Sequence, residues 1–286
     1  MSHHALERVY VRMLFDPAFV DRVYADPRAA LHGIELTETE RDNLVAVDRR
    51  AWGHDPLRRY RTLRTLSDEF KATTTLVLAA TRSLGSLDAF FSSDEFHRTV
   101  QGRGLLALAF GDYVARLVAE RALDSPQIPE VLRLEAMLAR CRRELESAKR
   151  AGARGTADDP DARIGLAPGH AVDRFNANVV AAVNVAERYL FEVGLMPAVA
   201  LCEDAPRLDR LPEVSSDPAY LLALPGAAGV SLMPVDADYY ALLNEFSRGP
   251  LRRSAAVSRT VDRGVSREDV ETMLESLVDE GVLAVE

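Results

Sequence analysis

Apolar residues recur at three- and four-residue intervals through the first half of the chain, the spacing that lines one face of a helix. Leu6, Val9, Tyr10, Met13 and Leu14 form the first such stripe, and Asp16-Pro17 ends that helix and opens the next. Phe19, Val20 and Val23 follow, before Asp26-Pro27 and the break at Gly33. Thr37-Glu38-Thr39-Glu40 reads as a capping box opening a helix through Leu44 and Val47. Asp55-Pro56 has the form of an N-cap with proline at the first helical position. The stripe Leu57, Tyr60, Leu63, Leu66 and Phe70 predicts a helix from there to about residue 80. Helical spacing resumes at Leu87, Phe90 and Phe91, and again from Leu105 to Ala122. Pro126 and Pro129 bracket a loop, after which Val131, Leu134, Leu138 and Leu145 mark a long charged helix ending near Arg150.

Residues 151–163 have almost nothing to bury and read as a linker. Beyond them the period changes. Ile164 to Phe175 contains Pro168-Gly169 within a short alternating stretch, and Val179 to Tyr189 returns to helical spacing. Tyr220–Leu224 and Val230–Val235 are β-prone runs around Pro225-Gly226-Ala227-Ala228-Gly229, the pattern of a hairpin. Three helices are predicted next, over Ala237–Phe246, Ser254–Val261 and Arg267–Asp279, the last capped by Ser266. Gly281 ends it, and Val282–Val285 forms a final strand. The expected fold is α+β and mainly α: a helical domain over 1–150, the linker 151–163, and a small winged-helix-like α/β domain over 164–286.

Composition adds exclusions. Apolar residues at 48% supply enough material for cores without help from metals or disulfides. The two cysteines, Cys141 and Cys202, lie far apart and outside any Cys-x-x-Cys pattern, which suits a reducing, cytoplasmic compartment. The N-terminus lacks the layout of a signal peptide, and no apolar run reaches the ~20 residues a membrane span needs. A net charge of -9 argues against nucleic-acid or anionic-membrane binding by the whole chain.

Catalytic patterns are missing. Six histidines occur, at 3, 4, 32, 54, 97 and 170, with none at metal-ligand spacing. There is no nucleophile elbow, Walker loop or dinucleotide fingerprint, and Gln101-Gly102-Arg103-Gly104 reads as a helix break. Neither a catalytic nor a metal site is assigned, although catalytic groups converging from distant positions leave no motif. Two basic clusters stand out: Arg140, Arg142, Arg143, Lys149, Arg150 and Arg154, and then Arg248, Arg252, Arg253, Arg259, Arg263 and Arg267. The first suits the negative end of a helix dipole. The second is either ordinary surface charge or a face for an acidic peptide or DNA. A winged helix reading DNA puts its third helix in the major groove. Here that helix, Arg-Glu-Asp-Val-Glu-Thr-Met-Leu-Glu-Ser-Leu-Val-Asp-Glu, is acidic and would meet phosphates with like charge. A peptide added as a strand to the small sheet suits the sequence better. Tyr220, Leu222, Val230 and Leu232 are the candidate sheet residues, and Arg267, Val270, Met273 and Leu277 the candidate groove residues; the bland alternative makes them simply the module's core.

Several segments carry a family resemblance. Leu-Phe-Asp-Pro-Ala-Phe, Ala-Asp-Pro-Arg-Ala-Ala-Leu and Gly-Ile-Glu-Leu-Thr-Glu-Thr-Glu-Arg, within Arg8–Arg41, resemble the N-terminal region of partner proteins of multinuclear non-haem iron-dependent oxidases (MNIO), such as those of methanobactin and bufferin systems. Ile128–Glu135, Leu166–His170, Asn176–Val185 and Val230–Leu243 are similar in layout, whereas residues 190–215 fit poorly and read as an insertion. The resemblance implies a non-catalytic subunit that forms a heterodimer with its oxidase. Its C-terminal module, similar to a RiPP recognition element, would bind the leader of a ribosomally made precursor peptide. It implies no cofactor in this chain, since iron sits in the partner. The alternatives are a winged-helix transcriptional regulator and a helical enzyme with convergent residues.

Overall fold

The computed structural model describes residues 3–55, 57–102, 104–120, 126–151, 163–192, 207–226 and 229–285. The fold is α+β and mainly helical, with two small three-stranded antiparallel sheets among the described residues. By packing it divides into two compact units, Met1–Leu132 with Ala186–Asp209, and Arg133–Val185 with Arg210–Glu286. The division falls inside a long helix, whereas the sequence places it at 151–163, of which 152–162 lie outside the described residues.

The first unit is built from α1 (His3–Phe15), α2 (Pro17–Ala25), α3 (Pro27–Ala30), α4 (Glu38–Ala46), α5 (Arg49–Trp52), α6 (Arg58–Glu69), α7 (Lys71–Thr81), α8 (Gly85–Asp88), a 3₁₀ turn (Ala89–Ser92), α9 (Asp94–Gln101) and α10 (Leu106–Ala119), with the start of α11 (Ile128–Ala151). Its helix starts follow the sequence signals. Asp16 and Asp26 accept the backbone N–H of Phe19 and Ala29, the third residues of the helices they open, and proline follows each of them. The capping box is complete, Thr37 accepting from the Glu40 amide while the Glu40 carboxylate accepts from that of Thr37. Asp55 accepts from the Leu57 amide; Pro56 lies outside the described residues.

The helix predicted from there to residue 80 is two helices. Phe70 leaves the helical region (φ -126°, ψ 54°) and is fully buried, so burying its ring re-aims the chain at that point. That ring lies edge-on to Phe110, which meets Phe90, and the fully buried Phe90, Phe91 and Phe96 pack on one another. A separate cluster gathers Val9, Met13, Phe19, Val23, Leu44 and Trp52.

The second unit holds the rest of α11, then β1 (Arg163–Leu166), β2 (Ala171–Asn176), α12 (Val179–Glu192, whose last turns belong to the first unit), β3 (Pro218–Gly226), β4 (Gly229–Val235), α13 (Ala237–Phe246), β5 (Leu251–Arg252), α14 (Arg253–Val261), α15 (Arg267–Asp279) and β6 (Leu283–Val285). One sheet has the order β2-β3-β4 and the other β5-β1-β6. In the second sheet the middle strand, β1, comes from before the helices, so no hairpin joins its neighbours. The stretch from Ile164 to Phe175 is thus two strands in different sheets, turned at Pro168-Gly169. Gly169 takes φ +83°, open to glycine at little cost, and its N–H donates to Glu144 at 3.2 Å.

Both faces of the β2-β3-β4 sheet are covered at its centre, which explains why Leu221, Leu222 and Ala223 are buried in succession instead of alternating. Val172 and Leu222 join the core formed with α13, α14 and α15, through Leu242, Leu243, Phe246, Val270, Leu274 and Leu277. On the other face are Phe175, Leu221 and Ala223, and the Arg133 guanidinium of α11 sits 5.0 Å from the Phe175 ring centroid. Among the described residues no helix is long and apolar enough to cross a membrane.

Candidate functional site: the edge of β4

Register decides which backbone groups of this sheet are spent and which are left over. The Ala177 N–H donates to the Asp217 carbonyl at 2.9 Å, continuing the β2–β3 pairing in which Ala171 faces Ala223 and Phe175 faces Ala219. Odd-numbered residues of β3 therefore exchange hydrogen bonds with β2, and even-numbered ones with β4. The Ser231 hydroxyl agrees, lying 3.3 Å from the Leu224 carbonyl that points toward it. Tyr220, Leu222 and Leu224 face Val235, Met233 and Ser231. So Ser231, Met233 and Val235 turn their main chain inward, while Val230, Leu232 and Pro234 turn theirs outward. Pro234 has no N–H to offer, which suits the outer side of an edge strand.

The two outer edges differ at one rung, since the outward main chain of Val172 on β2 also has no partner among the described residues. On β2 the outward carbonyl of Arg174 is taken by the Arg133 guanidinium at 3.0 Å, and Arg133 also pairs with Asp173 at 2.9 Å. On β4 no partner for the main-chain groups of Val230 and Leu232 occurs among the described residues. Such an edge is a template for another strand.

The predicted site residues scatter around this edge. Tyr220 is half-buried and stacks on Tyr240 of α13, the centroids 4.5 Å apart. Leu222 is fully buried. Val230 and Leu232 pair with Pro225 and Ala223, so their side chains occupy the opposite face from Tyr220 and Leu222. The cause is the two-residue connection between Gly226 and Gly229, which sets an even residue opposite an odd one; counting it would have revealed the split. Residues 227 and 228 themselves lie outside the described residues. Val270, Met273 and Leu277, the predicted groove residues, are core residues: with Leu274 they form the buried stripe of α15. Arg267 is exposed and 3.5 Å from Glu271 on its own helix. Val230 and Leu232 are thus the candidates at the edge, joined by Ser231, Met233 and Pro234, which sequence reasoning did not single out.

The arginine cluster is largely compensated. Arg253 pairs with Glu275 at 2.9 Å, and Arg259 with Glu245 at 3.4 Å. Arg263 also binds Glu245, whose side chain is 8% exposed. Arg248 and Arg252 have no ion pair among the described residues. The outer face of α15 presents Glu268, Asp269, Glu275 and Asp279. In the other basic cluster Arg143 pairs with Glu146 at 3.0 Å, the side chains of Lys149 and Arg150 are not described, and Arg154 lies outside the described residues.

Burial shifts several titratable groups elsewhere. Burial, reinforced by nearby Arg12 and opposed by Asp16 and Asp94, pushes His97 down to about 4. Burial also lowers His170, whose Nδ1 lies 3.1 Å from the Ala167 carbonyl. The buried Cys141 thiol is pushed up to about 11, mainly by desolvation; Cys202 lies outside the described residues. Among the described residues no three His, Cys, Asp or Glu side chains converge as a metal site. Neither protein-family models nor curated proteins yield a match to this chain.

Proposed function

We propose that this chain is a non-catalytic partner subunit that holds the leader of a ribosomally made precursor peptide as an added strand on β4 and presents it to a multinuclear non-haem iron-dependent oxidase. The observation that carries the reading is the open edge, with the Val230 and Leu232 main chain directed outward and unpartnered among the described residues. Strand addition draws affinity from such groups and specificity from neighbouring side chains. In this reading β5, β6 and helices α13–α15 form a winged-helix-like module in which β1 takes the place of the wing's return strand. The helical first unit is the surface for the oxidase. Holding the leader raises the local concentration of the modified segment, so a modest affinity suffices.

The DNA alternative draws no support from the charge arrangement. Four of the six clustered arginines are engaged by Glu245, Glu271 and Glu275, and the outer face of α15 is acidic.

The test is reconstitution with an iron-dependent oxidase of that class and its precursor peptide. The chain alone is expected to bind the peptide and leave its mass unchanged. The oxidase is expected to modify the peptide efficiently only when this chain is present. A peptide that ignores the chain, or is modified equally without it, overturns the proposal.

A further inference from the structure

Resting on that strand-addition reading, we infer that Pro234 is a specificity-determining residue that fixes the register of the captured segment. The outward row of β4 is Val230, Leu232 and Pro234, and only the first two carry an N–H. An antiparallel strand, the sense of every pairing in this sheet, closes complete two-bond rungs at Leu232 and Val230. At Pro234 it finds a carbonyl but no donor, so a register slipped toward α13 by one pair loses a hydrogen bond. The edge thus selects a short segment held at one position.

Side chains around the edge define its chemistry. Met233 closes the row Val172–Leu222–Met233, in which the first two are buried and Met233 itself is 41% exposed. A peptide residue opposite Met233 extends that row, and an apolar side chain there covers the exposed thioether. Past Pro234 stand Asp236 and Asp238, both exposed and without a cationic partner among the described residues. In an antiparallel strand the residue beside Asp236 is about four positions before the one facing Leu232, and Asp238 stands in the first turn of α13. The occupant is therefore an extended peptide with a lysine or arginine shortly before a brief apolar run.

The test uses the full chain and a random dodecapeptide library displayed on phage. Wild type is expected to enrich a cationic residue followed by an apolar run, and a synthetic peptide of the enriched sequence then serves as ligand. Leu232→Pro removes an outward donor but no bond to β3, so it should keep the wild-type melting curve and lose at least about tenfold in affinity; Leu232→Val, which keeps the N–H, should bind nearly as wild type. If Leu232→Pro fails to fold, Val230→Pro is read in its place. Pro234→Ala supplies a third donor and should tighten binding about three- to tenfold, while its own enriched sequences gain length or shift register. No enrichment by wild type would overturn both the capture reading and the register assignment, as would equal binding by the folded proline variants. If Leu232→Pro abolishes binding while Pro234→Ala changes neither affinity nor register, capture at the edge stands and the role of Pro234 is refuted.

Discussion

Replacing Gly169 by alanine probes how α11 holds the turn between β1 and β2. Two penalties are readable from the structure. The residue adopts φ +83°, which costs an alanine about 1–2 kcal/mol. A Cβ there also falls 2.2, 2.5 and 2.9 Å from three carbons of the Leu145 side chain, far inside the ~3.5–4.0 Å of a good carbon contact. Leu145 must move, and overpacking of this kind costs about 1–3 kcal/mol. The sum predicts a loss of about 2–5 kcal/mol in urea unfolding followed by circular dichroism. Leu145→Ala removes the clash but not the backbone strain, so in that background Gly169→Ala should cost only about 1–2 kcal/mol. The double-mutant cycle therefore isolates the contact. A Gly169→Ala protein within about 0.5 kcal/mol of wild type, or the same loss in both backgrounds, would refute the packing of α11 on this turn.

His97 is held neutral in the folded protein down to about pH 4, while in the unfolded chain it takes up a proton near its ordinary value. Its contribution should thus fall away as pH drops from about 6.5 to about 4, by up to about 3 kcal/mol, and the difference between wild-type and His97→Phe urea midpoints across that range measures it. Glu245→Gln leaves Arg259 and Arg263 without their buried carboxylate, and a loss of about 1–3 kcal/mol is expected, reduced because both arginines are half-exposed. Thr37→Ala should cost about 1 kcal/mol by opening the capping box, read from the thermal midpoint.

Local signals were legible where the chain decides structure over a few residues. Asp16-Pro17, Asp26-Pro27, the capping box at Thr37 and the N-cap at Ser266 all start helices where the sequence places them. The hairpin and the three helices after it were legible for the same reason. What escaped depends on distant partners. Strand β5 is two residues long and forms only because β1 lies beside it; the final strand was legible as Val282–Val285, but its pairing with β1 was not. Phe70 breaks a stripe that reads as continuous, because its ring has a buried place to fill. Val270, Met273 and Leu277 have the composition of a groove and of a core alike, and burial against β-strands and helices decides the matter. The edge itself hinged on parity: Val230 and Leu232 were legible as strand residues, but their outward main chain follows only from the register with β3.

Residue-resolved amide exchange on β4 addresses the edge most directly. In the free protein the amides of Ser231 and Met233, bonded to β3, should exchange slowly, and those of Val230 and Leu232 rapidly. With a bound peptide, Val230 and Leu232 should become protected by at least about tenfold, as expected for new backbone hydrogen bonds. Protection of these two amides already in the free protein, or unchanged exchange in a saturated complex, would contradict strand capture at β4.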